Sequence, residues 1–356
     1  MDQELIERGQ EAIHRGIGWL RLHEDQIRQI EDLSAHYKAP YLYATLGDPL
    51  RAHYYADLMR TRYLQSDGDF RTSPLDRGFE KAPAFPAACY LYPNGWMIVG
   101  LRKLGVYHAA SRGIDFVRRF QSPELGGFFS RFDVTADQVN TRYLDSSSTA
   151  SAGLALLACG RVDEAVRAGD FILRLIEAQP EPQRNFYTSW EVGAGLVTDV
   201  WEEGDPRFPG GRGLFCLSTE ADTLRELTWL VGKPMKFLAK LYDQTSDQRY
   251  LDGAIELFDF FHRLGEGRWQ NTGSCKIMWA GAELYRHTGQ PRFAETAERI
   301  LDCMCQSQHP AGYWVHTVWG KNLEDQPFEA TVDIAQELCA EIMDATFELS
   351  PVAPSN

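Results

Sequence analysis

Leu284-Tyr-Arg-His-Thr-Gly-Gln-Pro-Arg-Phe-Ala-Glu-Thr-Ala-Glu-Arg-Ile-Leu301 reads as the end of one helix, a tight turn and the start of the next. The pattern recurs at Leu42–Met59, with Gly47 and Pro49 at the spacing of Gly289 and Pro291. It recurs again at Leu241–Phe258, where Ser246 and Gln248 fill those places. Glycine closes a helix in the left-handed conformation, and proline in a first turn starts the next without losing a needed N–H. A repeated helix–turn–helix predicts an array of helical hairpins, each burying its apolar face against its neighbours.

Working outward, apolar spacing predicts about twelve helices of two alternating kinds. One kind is amphipathic and charged, as in Val106–Phe120 and Val162–Ala178. The other is small, aromatic and apolar nearly all round, as in Asp145–Cys159. Short links at Gly47–Pro49, Gly105–Val106, Gly160–Arg161 and Gly289–Pro291 lead from the apolar kind to the amphipathic kind. The return connections, 66–86, 121–144, 179–216 and 307–327, are long and read as loops. The long loops therefore share one end, where function concentrates. Six hairpins in a closed ring, apolar helices inside, satisfy this pattern; an open solenoid is the alternative. Residues 1–350 form one domain in this reading and 351–356 a tail.

The chain has 356 residues, 44 % of them hydrophobic, and a net charge of −14. Such acidity argues against nucleic acid and anionic membrane as partners. No apolar run approaches a membrane span. The acidic Met1-Asp2-Gln3-Glu4 start is unlike a signal peptide, and seven cysteines without framework spacing suit a reducing cytoplasm. The expected partner is a small-molecule substrate, with a homodimer left open.

The hairpin pattern resembles the (α/α)6 toroid superfamily over nearly the whole chain. Gln121 with Gly126-Gly127-Phe128-Phe129 resembles the Gly-Gly-aromatic loops of N-acylglucosamine 2-epimerase-like enzymes. Tyr143-Leu-Asp-Ser-Ser-Ser-Thr-Ala-Ser-Ala152 is similar to the Asp-Ser-Ser-rich inner helix of unsaturated glucuronyl hydrolases. Gln308-x-x-x-Gly312-x-Trp314 resembles the Gln–Trp repeat of squalene-cyclase-like toroids. The Asp-x-Asp-Asp of protonation-initiated terpene cyclases is absent. Asp302-Cys303-Met304-Cys305 departs from the prenyltransferase zinc motif, and Tyr92–Leu101 lacks a carboxylate where the hydrolases carry a second one.

In a ring, all inner-helix N-termini open at the long-loop end and favour anionic or oxygen-rich ligands. Asp145, Glu220 and Asp222 are read at inner-helix starts, as N-caps or as acid–base groups. Trp190-Glu191 and Asp199-x-Trp201-Glu202-Glu203 interleave indoles with carboxylates, which suits sugar recognition or else anchors a loop. His316, within Trp314-Val-His-Thr-Val-Trp319, is a general acid/base candidate or a hydrogen-bonded structural histidine. The catalytic candidates are thus Asp145, His316, Glu220, Asp222 and Glu191. The binding candidates are Tyr143, Arg142, Arg131, Trp190, Trp201, Trp314, Trp319, His36, Lys38, Trp96 and Trp279. Lys38, Arg77, Lys81, Arg131, Arg142 and Lys276 form a basic set suited to a substrate carboxylate or phosphate. No His/Cys cluster has metal spacing, so neither metal nor cofactor is expected.

These features predict a cofactor-independent enzyme acting on a carbohydrate or polyhydroxylated acid. It would work as an epimerase, glycoside hydrolase or lyase with carboxylate and histidine acid–base groups. The alternatives are a terpene or polyketide cyclase or isomerase with an aromatic-lined cavity, and a non-catalytic helical-repeat binding module. A charged cavity favours the sugar reading and a dry apolar one the cyclase.

Overall fold

The computed structural model describes residues 3–78, 89–199, 216–221, 224, 226–317 and 326–350. Twelve helices form the frame: α1 Gln3–Leu22, α2 Ala39–Thr45, α3 Pro49–Leu58, α4 Leu91–Lys103, α5 Tyr107–Arg118, α6 Ser146–Ala158, α7 Val162–Glu177, α8 Trp229–Thr245, α9 Gln248–Arg263, α10 Cys275–Thr288, α11 Pro291–Ser307 and α12 Phe328–Leu349. Each even-numbered helix packs on the next even-numbered one, and α12 returns to α2, closing an inner ring. The odd-numbered helices pack outside it, with α1 against α12 as the sixth hairpin. The protein is an (α/α)6 toroid.

Residue type decides the layer. In α7 the buried residues Ala165, Ala168, Gly169, Phe171, Ile172 and Leu175 make one stripe, so the other face meets solvent. In α6 nine of the first ten residues, Ser146 to Ala155 without Leu154, are buried. Small side chains there let neighbouring helices approach on several sides.

The short links behave as their sequence requires. Gly47, Gly105, Gly160 and Gly289 have φ of 68, 74, 70 and 67°, and Ser246 takes the same left-handed form at 56°. Pro49 and Pro291 open α3 and α11. Inner-helix C-termini therefore meet at a lower rim of tight links, and the N-termini meet at an upper end of long connections.

Three expectations need correction. The connections read as loops carry strands: β1 Phe129–Asp133, β2 Gln138–Asp145, β3 Asn185–Tyr187, β4 Ser189–Glu191, β5 Gly195–Leu196 and β6 Cys216–Ser218. They form an antiparallel sheet in the order β1-β2-β4-β5 and a β3-β6 pair. Pro93-Asn94-Gly95 reads as an interruption of its helix, yet Pro93 lies in the first turn of an unbroken α4, where its missing N–H costs nothing. Finally, the sequence reads as one helix over Ser218–Tyr242, but α8 begins at Trp229, because Cys216–Ser218 pairs with β3 instead. No described helix is long and apolar enough to cross a membrane.

Candidate functional site

Three stripes of polar residues run along the inner faces of α8, α10 and α12. On α8 they are Lys233, Lys236, Lys240 and Gln244, spaced by three and four residues so that they share one face. On α10 they are Lys276, Trp279, Glu283 and Arg286, and on α12 Asp333, Glu337, Glu341, Asp344 and Glu348. Ring closure turns all three inward. Between them lies a cavity of about 350 Å³. Its wall includes Lys233, Lys236, Lys240, Lys276 and Glu341, with Trp96 and Trp279 as indole walls and Tyr41, Tyr92, Val99, Leu154 and Leu157 completing it. That volume lies within the range of small-molecule sites, about 300–1,000 Å³.

Lysine usage is selective. The chain has eight lysines and twenty-eight arginines, and five of those lysines, Lys38 included, sit at the ring axis. Arginine stays charged in any protein environment, whereas a buried lysine can lose its proton. Placing lysine here keeps that option.

The lysines differ in their partners. Lys38 is fully buried, 2.9 Å from Asp333 and in contact with Glu337. Lys276 contacts the same Glu337, which also accepts from the Tyr92 hydroxyl at 3.2 Å. Burial first, then the charge of Asp333, pushes the Tyr92 phenol well above its ordinary range, so it stays a donor. Lys236 lies 3.2 Å from Glu341 and 3.9 Å from the centre of the Trp279 ring. Burial opposes its charge, but Glu341 and Asp344 outweigh burial and hold the ammonium above its usual range.

Among the described residues Lys233 has no carboxylate partner. Its Nζ donates to Ser147 Oγ at 3.1 Å and lies 3.3 Å from the Tyr92 ring centre and 4.4 Å from that of Trp229. Ring faces attract a cation by up to about 2 kcal/mol. A lone buried charge costs several kcal/mol even after the protein relaxes. Burial wins over the opposing pull of Cys89 and Asp145, and the charges of Lys276 and Lys38 add to it, so the amine is pushed well below the ordinary lysine range. Pro234 follows directly; with no N–H to give, it leaves the Leu230 carbonyl to Ser146 Oγ at 3.5 Å.

The sequence candidates fall into distinct places. Asp145 ends β2 and caps α6 through Ser148 N at 2.6 Å. Its Oδ2 is buried with no hydrogen-bond partner, and burial raises its pKa against the pull of Ser148, Ser130 and Lys233. His316 feels Lys38 and Lys276; burial first, then those two charges, lower its pKa to about 3. Its backbone N donates to Gln326 Oε1 at 2.8 Å. Lys38, His316, Trp96 and Trp279 therefore gather at or beside the cavity.

The remaining described candidates do not line it. Tyr143 is buried in β2, with the Arg142 and Arg131 guanidiniums 4.9 and 5.9 Å from its ring centre. Arg142 pairs across strands with Glu191 at 2.8 Å. Trp190 sits edge-on to Phe171 at 6.3 Å. His36 bonds through Nε2 to the Ile30 carbonyl at 2.9 Å and stacks on Tyr63. Trp314 is fully buried, with Nε1 donating to Met304 O at 2.9 Å, and acts as an anchor for α1 and α11. Glu220 lies in the turn after β6, with its side chain 73 % exposed and 3.9 Å from Arg184. Asp222, Trp201 and Trp319 lie outside the described residues.

Sequence reasoning missed Lys233, Lys236, Lys240, Glu337 and Glu341. The available signal was the scarcity of lysine together with charge stripes on helices otherwise apolar. Among the described residues, one group could offer a cation three ligand atoms within 4.8 Å of one another: Asp243, Glu283 and His287. Arg286 and Lys240 already pair with those carboxylates, so a metal would have to displace them.

A closed double ring around a charged, aromatic-walled axial cavity defines the class as an (α/α)6 toroid with a small-molecule-sized pocket. No family model matches the sequence, and no curated protein does. Solved structures do match in fold. A D-mannose isomerase is 12 % identical with a TM-score of 0.63, covering 89 % of this chain and 86 % of that one. An unsaturated glucuronyl hydrolase specific for heparin is 9 % identical with a TM-score of 0.60, covering 98 % of both chains. A type II terpene cyclase from Scytonema, solved with geranylgeranyl dihydroxybenzoate, is 12 % identical with a TM-score of 0.57, covering 97 % and 99 %.

Proposed function

We propose that this toroid is an enzyme acting on a carbohydrate or polyhydroxylated acid by acid–base chemistry, of the isomerase, hydrolase or lyase type. The observation that carries the reading is the cavity wall, in which four lysines and one glutamate lie between two indole rings. The cations suit a carboxylate on the ligand. Trp96 and Trp279 offer flat apolar faces to a sugar ring. Glu341 with Lys236, and Glu337 with Lys276, are paired acids and bases within reach of the lumen. Isomerase and glucuronyl hydrolase neighbours of the same fold support the substrate class.

The terpene cyclase neighbour and the apolar patch of Val99, Leu154 and Leu157 favour a second reading, cyclisation of a prenylated aromatic acid. Free amines argue against it, because a carbocation alkylates them. Thermal unfolding with added ligand decides between the two. Glucuronate or galacturonate should raise the melting temperature saturably, by about 2.7 kcal/mol of stability at a hundredfold excess over Kd. Neutral sugars should do less. Stabilisation by prenylated aromatic acids alone would overturn the sugar-acid reading.

A further inference from the structure

We propose that Lys233 is the covalent centre of this cavity, its Nζ adding to a substrate carbonyl to form an imine, with the Lys276 ammonium as proton donor. This rests on the sugar-acid reading for its substrate class, an open-chain aldehyde or ketone carrying an anionic group.

The geometry separates two amines that line one lumen. Burial, then the charges of Lys38 and Lys236, lower the Lys276 pKa from its ordinary value, but Lys276 contacts the Glu337 carboxylate, which favours its ammonium form. Lys233 is buried, donates to Ser147 Oγ and faces two rings, and among the described residues Lys276 and Lys38 oppose its charge while Cys89 and Asp145 favour it. A lysine held in an apolar pocket beside other cations is the arrangement that activates an amine for carbonyl attack. That surrounding favours the neutral amine, whose lone pair is the nucleophile.

In the first step the Nζ lone pair forms a C–N bond to the carbonyl carbon and the C=O π pair moves to oxygen. That oxygen takes the proton the nitrogen sheds, giving a carbinolamine. In the second step Lys276 protonates the hydroxyl, the C–O bond breaks, water leaves, and the nitrogen pair completes the C=N bond. The net change is one carbonyl and one ammonium proton in, and one iminium and one water out; Lys276 recovers its proton from solvent. The iminium draws electrons from the adjacent C–H bond, whose proton a carboxylate in the wall can accept. Return to the opposite face inverts that carbon.

Sodium cyanoborohydride supplies the hydride that traps an imine as a stable secondary amine. The probes are glyceraldehyde and glyoxylate, used on the whole protein at neutral pH. The expected result is one addition, of the probe plus two hydrogens minus water, mapping to Lys233. An unshifted lysine is neutral about once in 2,500 at pH 7, so Lys233 should label faster than the more exposed, ion-paired Lys240. Lys233→Met should lose the addition and stay folded, with a melting temperature no lower than that of the wild type; should that variant fail to fold, the wild-type peptide map still decides. Labelling spread over other lysines, or at the rate of ordinary amines, overturns the proposal. Glucuronate is the competing ligand. If it protects Lys233, the imine and the substrate class stand together. If Lys233 labels rapidly but no sugar acid protects it, the imine stands and the substrate class falls. If sugar acids stabilise the protein and Lys233 stays unlabelled, the imine falls alone.

Discussion

Lys240 and Lys233 lie two turns apart on one face of α8, yet they occupy opposite surroundings. At the lower rim Lys240 contacts Glu283 and lies 3.6 and 3.8 Å from Asp243 and Glu348. Arg286 reaches the same three carboxylates at 2.6, 2.9 and 3.1 Å. That cluster joins α8, α10 and α12 as a clamp of two cations and three carboxylates, in which burial and then Glu283 push the Glu348 carboxyl up to about 7. At the upper end Lys233 is buried with no ion pair among the described residues, and Asp145 Oδ2 and His36 Nδ1 are buried without a hydrogen-bond partner. Unanswered polar groups cost stability and persist where function uses them. One end of the ring axis is built for stability and the other is left poised.

The sharpest way to break that contrast uses Lys233 and its neighbour Lys236, one turn below. Lys236→Met strands Glu341 in the interior and should cost about 3–5 kcal/mol of unfolding free energy. Lys233→Met breaks no ion pair among the described residues, removes its pull on Asp145, and should gain stability at neutral pH. The sign follows from proton binding. Native Lys233 lets its proton go well below the unfolded value of 10.5, so the unfolded chain binds more protons across that window. Wild-type stability therefore rises with pH up to about 10.5, and the advantage of Lys233→Met should shrink over the same range. Denaturant unfolding of both variants at several pH values measures this. Equal losses in the two would show that Lys233 has a counter-charge after all.

Asp145 tests the upper end from its other side. Asparagine caps a helix as well as aspartate does, so Asp145→Asn should retain the α6 cap and the fold. Turnover should fall about a hundredfold, the lower end of what a positioned acid or base contributes. Full activity with an unchanged melting temperature would leave Asp145 as a cap alone.

How much of this was legible beforehand differs between the two ends. The lower rim was readable, because Gly289, Gly47 and the prolines after them act through local backbone rules that leave a mark in sequence. The upper end was not. The strands there depend on pairing between distant segments, such as Tyr143 with Glu191. The lysine stripe of α8 looks like a solvated helix face, and only ring closure, a property of all twelve helices, turns it inward. Lys38, Trp96 and Trp279 could be singled out because they sit on helices apolar all round; Glu337 and Glu341 read as ordinary surface acids on α12.

Acid should weaken the upper end. Burial holds the native His36 ring near a pKa of about 4, against 6.5 in the unfolded chain. Between those values the unfolded chain binds the extra proton, so stability falls as pH falls, by about 2 kcal/mol at pH 5. His316, lowered to about 3, acts in the same direction. His36→Gln keeps a donor for the Ile30 carbonyl and should shrink the stability difference between pH 7 and pH 5 by that amount. An unchanged difference would mean that the ring is already protonated in the native state.

The smallest effect belongs to the lower rim, and it asks whether that rim can be improved without touching the chemistry. Of the five links, four turn on glycine and one on Ser246, at φ 56°. A side chain in the left-handed region costs roughly 1–2 kcal/mol, while glycine loses about 0.5–1 kcal/mol through the greater freedom of the unfolded chain. Ser246 N bonds to the Tyr242 carbonyl at 2.8 Å through its backbone, which glycine keeps. Ser246→Gly should therefore gain up to about 1 kcal/mol in denaturant unfolding and leave ligand binding and Lys233 labelling as in the wild type. A loss of stability would mean that the serine side chain holds the link in a way its backbone does not reveal. A change in labelling would mean that the two ends of the axis are mechanically joined through α8, and the division of labour between them would have to be redrawn.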